Sequence, residues 1–164
     1  MDDALERIVV FLAGIGLPVR AAALDGDTFL PGIRIARGEL VYDPARLDWP
    51  TDLLHEAGHI ALTPRAHRAG LDDALTEQQH FPHGGEVESI AWSFAASVHL
   101  ALPADALFHP GGYRGQSHGL ALSFSLGVYV GAAGLAALDL CAIGEDARRR
   151  GVAPYPHMLR WLRD

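Results

Sequence analysis

A chain of 164 residues with 20 acidic and 13 basic side chains has a formal charge of −7. That excludes the clustered cationic surface of a nucleic-acid binder and disfavours docking on anionic membranes. Hydrophobic residues make up 49% of the chain, enough for the core of one domain over residues 1–164, and the single cysteine, Cys141, rules out an internal disulfide.

The acidic start MDDALER lacks the cationic stretch of a signal peptide. The expected compartment is the reducing cytoplasm. Leu5, Ile8, Val9 and Leu12 recur at helical spacing, and Gly14, Gly16 and Pro18 close that helix. In GIRIARGELVYD, apolar residues alternate with polar ones on both sides of Arg37-Gly38, which predicts a β-hairpin. The polar DPARLDWPTD then leads into a helix, DLLHEAGHIAL, that Thr63-Pro64 ends.

Residues 65–85 are polar and rich in histidine and read as a loop with one short helix. A strong helix follows from about Gly85 to Leu100, stopped by Pro103. Residues 119–138 form a run of twenty without a charge, long enough to span a bilayer. Four glycines and two serines dilute it, and no Lys or Arg cluster flanks it, so two short buried helices broken near Gly131–Gly134 are expected. The tail YPHMLRWLRD reads as a closing helix. Strands early and helices late make the fold class α+β, mainly helical.

The helix DLLHEAGHIAL raises the chemical question, because its apolar residues surround three groups that are costly to bury. His55 and His59, four residues apart, share one helix face and can reach a single cation. Glu56 projects about 100° away, beside such an ion, where a base for an activated water belongs. Gly58 costs about 1 kcal/mol in a helix interior relative to Ala, which a close approach by another element would explain. A catalytic zinc wants three protein ligands and one open position. Glu86 and Glu88 on the later helix are the candidates. Glu86 shares a stripe with Ser89, Ser93 and Ser97, read as the solvated face, whereas Val87, Ala91, Phe94 and Val98 form the apolar face. Glu88 borders that apolar face, in line with Trp92 and Ala95, and is the expected third ligand. The cofactor is then Zn2+, the partner a protein or peptide substrate, and the rival a zinc-binding interaction module that cleaves nothing.

HEAGH at 55–59, then ESIAWSFAA at 88–96 and Pro103, resembles the gluzincin zinc metallopeptidases, in particular the small ImmA/IrrE-type enzymes. The resemblance covers roughly residues 30–103. It implies a minimal zincin-like domain with the hairpin, or a small N-terminal sheet, packed on the HExxH helix. It also implies His55, His59 and Glu88 as ligands, Glu56 as the catalytic base, and a hairpin strand that pairs with an extended substrate. A position often Asn or Asp in that family is Trp92 here. In the family the role is cleavage of repressor proteins. Downstream, HPGGYRGQSHG offers Tyr113 or His118 to stabilise an oxyanion, although its glycines suit plain turns equally. Cys141 reads as an inert core residue, and the histidines other than His55 and His59 as surface or hydrogen-bonded.

Overall fold

The computed structural model describes residues 3–73 and 81–164. The first helix, α1, runs Asp3–Gly14 and buries Leu5, Ile8, Phe11 and Leu12. Strands β2 (Ile33–Ala36) and β3 (Glu39–Tyr42) form the expected antiparallel hairpin, with Ile35 opposite Leu40. Arg37 and Gly38 both take positive φ, 53° and 75°, the primed-turn geometry that matches strand twist. A third strand, β1 (Val19–Ala21), pairs parallel to β3, giving the order β1-β3-β2. Its three residues carry too little alternation to be read from sequence.

The outer edge of β2 is occupied by the chain itself. The Ile33 amide donates to Leu30 O at 3.1 Å and the Ile35 amide to Asp73 Oδ1 at 2.6 Å, while Ala36 bridges to Asp72. The expected pairing of an extended substrate along this strand is therefore not available at the Ile33 and Ile35 amides.

The central helix α2 (Asp52–Leu62) packs on the sheet, on α1 and on α3 (Glu86–His99). Pro64 holds Thr63 extended, at ψ 134°, and ends α2 where expected. A 3-10 turn, Arg65–Gly70, is the short helix of the histidine-rich loop; His80 lies outside the described residues. After α4 (Ala104–Leu107), the uncharged run folds into α5 (Ser117–Ser125) and α6 (Ala132–Ala137), two pieces as anticipated, but α5 is not the buried helix expected: it buries only Ser117 and Phe124, and Leu122, Leu126, Val128 and Val130 are exposed. Among the described residues no helix is long and apolar enough to cross a membrane. One apolar cluster joins Leu5 on α1 to Met158 in the tail, with Trp92 and Cys141 fully buried inside it.

The tail is not the helix its composition suggests. After α7 (Gly144–Arg150) its backbone groups bond to distant partners: Tyr155 N to Ala142 O at 2.8 Å, Leu159 N to Leu140 O at 2.8 Å and Arg163 N to Ala61 O at 2.9 Å. The Trp161 carbonyl accepts from the Trp92 indole at 2.9 Å. Arg163 also donates to Leu62 O and Pro82 O, and Arg68 to Thr63 O. These guanidinium groups satisfy carbonyls left open at the end of α2, where a cation is favoured. Long-range bonds thus replace local helical ones.

Gly131 shows how tightly α6 seats on the start of α3. It has φ +87°, and a Cβ there would lie 2.0 Å from the Val87 carbonyl oxygen. Gly131→Ala should destabilise the fold by about 2–4 kcal/mol, from overpacking plus left-handed strain. The check is a denaturant midpoint that falls at unchanged slope.

Candidate metal centre

Two helices in close contact build the site. A Cβ on Gly58 would lie 3.1 Å from Ser89 O and 3.2 Å from Ser89 Cα, so the missing side chain lets α2 and α3 meet almost backbone to backbone. Ser89, Ser93 and Ser97 line this contact and are all buried. Their hydroxyls are satisfied locally: Ser93 Oγ donates to Ser89 O at 2.9 Å, and Ser97 Oγ to Phe94 O at 2.9 Å. The serine stripe is a packing face, not the solvated face expected from its polarity. Conversely Val87 and Val98, expected inside, are exposed.

That rotation of α3 brings Glu86, and not the expected Glu88, to the histidine pair. Glu86 faces the two imidazoles, with Oε1 3.2 Å from His55 Nε2 and Oε2 3.3 Å from His59 Nε2. Glu88 instead turns back to its own helix start, where Oε2 accepts from the Gly85 amide at 3.2 Å. It serves as a helix cap from the third helical position. Its other oxygen lies 3.9 Å from His83 Nδ1, and Gly134 of α6 leaves room for its side chain. The signal that could have identified Glu86 was the row of small residues following it at helical spacing, opposite the Gly58 gap.

His55, His59 and Glu86 each offer one ligand atom, all within 4.8 Å of one another, so the three could hold a metal ion. The imidazole side chains are 12% and 16% exposed and that of Glu86 61%, so the cluster opens to solvent on the Glu86 side. Hydrogen bonds from His55 and His59 hold the Glu86 carboxyl well below its usual range. Burial opposes charge on His55, yet the facing Glu86, with Glu56 and Asp52 nearby, lifts its pKa above the ordinary value.

The two imidazoles are supported differently. His59 Nδ1 lies 3.0 Å from Ser89 Oγ, which orients its ring with Nε2 toward Glu86. Among the described residues, buried His55 Nδ1 has no hydrogen-bond partner. Tyr113 meets the His55 ring edge-on, with centroids 5.5 Å apart at 87°. His118 is exposed on α5. Of the two oxyanion candidates, Tyr113 is the one the fold brings to the cluster. Sequence reasoning gave Asp52 no role and read His109 only as surface or hydrogen-bonded; the two form a buried hydrogen-bonded pair 2.9 Å apart at the start of α2.

Glu56 is buried, and burial raises its pKa. Among the described residues its carboxylate makes no hydrogen bond or ion pair. Comparison with family models, curated proteins and solved structures gives no match.

Competitive metal titration should separate the two glutamates. Glu86→Ala should lose most divalent-metal affinity; Glu88→Ala should keep it while losing about 0.5–1 kcal/mol of stability with its cap. Ser89→Ala should weaken metal binding about 10-fold or more by freeing the His59 ring, read in the same titration.

Proposed function

We propose that this chain is a zinc-dependent peptidase of minimal zincin-like architecture, with His55, His59 and Glu86 as ligands and Glu56 as general base. The observation that carries the reading is the Glu56 carboxylate: buried, without a partner among the described residues, and one residue from a ligand imidazole. An unpaired buried carboxylate is costly unless it has a task, and a structural metal site does not need one there. Burial raises its pKa although both histidines oppose the shift, and a carboxylate beside the metal position is placed to take and return a proton.

The donor set supports zinc. Two imidazole nitrogens and a carboxylate are the ligands of many catalytic zinc sites, and His55, His59 and Glu86 offer ligand atoms within 4.8 Å of one another. A bound zinc would polarise a scissile carbonyl and lower the pKa of a water toward about 7. The side chains do the rest. Glu56 accepts the water's proton and delivers it to the leaving amine, while Ser89 keeps the His59 nitrogen pointed at the metal position.

One observation favours a zinc-binding module that cleaves nothing. The β2 edge that would align an extended peptide is bonded to Leu30 and Asp73. A substrate would have to enter from the open Glu86 side. The two readings part at Glu56. In the peptidase, Glu56→Gln keeps stoichiometric zinc and lowers cleavage of a peptide library by at least about 100-fold. A wild type that binds zinc but cleaves no peptide, or a Gln variant that cleaves at the normal rate, would reject the assigned mechanism.

A further inference from the structure

The unequal support of the two imidazoles points to a second task for Tyr113, beside that of oxyanion candidate. His59 is oriented by a hydrogen bond at Nδ1, whereas His55 Nδ1 has none among the described residues. A ligand histidine ordinarily needs its second nitrogen held to fix ring orientation. Around His55 that task falls to ring packing: His59 lies edge-on at 5.0 Å and 89°, and Tyr113 at 5.5 Å and 87°. Only Tyr113 comes from outside the helix.

Tyr113 is held in an unusual way. It and Arg114 adopt positive φ, 53° and 51°, a conformation rare for side-chain-bearing residues that persists only where the surroundings enforce it. The enforcement is visible. Ser117 Oγ donates to His109 O at 2.6 Å and to Gly112 O at 3.0 Å, closing the loop on itself. His109, 1% exposed, joins the loop to α2 through Asp52 and stacks on Trp49 with centroids 4.3 Å apart. Gly111 and Gly112 press on its ring so closely that a Cβ on either would fall 3.1 Å from Trp49 Nε1 or His109 Cε1 respectively. Asp52 lies one helical turn before His55, so the anchor and the ligand share a rigid segment.

We propose that Tyr113 is a positioning residue of the metal centre: its ring, held by the Asp52–His109 anchor, fixes the His55 imidazole in place of the missing Nδ1 hydrogen bond. This rests on the reading of His55, His59 and Glu86 as a metal site. It assigns the task to the ring and not to the hydroxyl, which is directed at Ser93 on α3, so Phe should replace Tyr and Ala should not.

The experiment uses the full chain, zinc affinity by competition, and the visible absorption band of the cobalt-loaded protein, which reports ligand geometry independently of activity. Tyr113→Ala should weaken zinc binding about 10-fold or more and shift the cobalt band. Tyr113→Phe should stay within about twofold of wild type with an unshifted band. His109→Ala should match Tyr113→Ala, and the double variant should lose no more than the weaker single, because both act through one ring. Should Tyr113→Ala fail to fold, Tyr113→Leu carries the test, since it keeps bulk but not the flat ring, and the same loss and shift are expected. Unchanged affinity and band in the Ala or Leu variant would overturn the proposal, as would a Phe variant as weak as Ala. A wild type that takes up neither zinc nor cobalt would refute the metal site itself, a distinct failure.

Discussion

The contact between Gly58 and Ser89 is the constraint on which the rest depends. Two helices can approach this closely only where one has no side chain and the other has small ones. Gly58 supplies the gap, and Ser89, Ser93 and Ser97 supply a face of short side chains that satisfy their own hydroxyls. The approach sets the rotation of α3 about its axis. That rotation directs Glu86 to the imidazoles and turns Glu88 back to cap its own helix. Without that contact nothing would hold Glu86 against residues on another helix.

The cluster is also an electrostatic compromise on a helix that is otherwise core. Leu53, Leu54, Ile60 and Leu62 are buried and fix α2 between sheet and helices. Four ionisable groups share that helix: Asp52, His55, Glu56 and His59. Each is handled differently. Asp52 is paired with His109, His59 is bonded to Ser89, and His55 and His59 share Glu86. Glu56 alone lacks a partner among the described residues. A buried group of this kind without a partner is costly to stability.

How much of this was legible differed by the kind of physics involved. The first helix, the hairpin with its Arg37-Gly38 turn, both main helices and the split of the uncharged run follow from periodicity and local breakers, and the structure places all of them as expected. His55 and His59 are fixed by spacing within one helix, so they too were readable. The third glutamate was not, because its choice depends on which face of α3 meets α2. Polarity suggested that the serines face water. Size decided otherwise, since a buried serine can bond to its own helix carbonyls while a valine tolerates exposure. The signal existed in the pairing of one glycine with three spaced serines, but reading it required knowing which helices touch. The tail failed for the complementary reason: its backbone bonds lie far away in sequence, at Ala61, Leu140 and Ala142.

The long-range ties converge on the two ends of α2. At its start, Thr51 donates to Ala106 O at 2.6 Å and Asp52 meets His109, drawing in the loop that carries Tyr113. At its end, Arg163 joins Ala61 and Leu62 to Pro82, in the segment that leads into Glu86. Residues from three distant parts of the chain therefore brace one eleven-residue helix. A helix of that length is marginal by itself, and a ligand pair on its surface would inherit its fraying. Bracing both ends removes that freedom in advance, so less ordering would remain to be done if a metal were bound. The parts of the sequence with no recognisable pattern, the glycine-rich loop and the irregular tail, thus act on the same helix whose pattern is plainest.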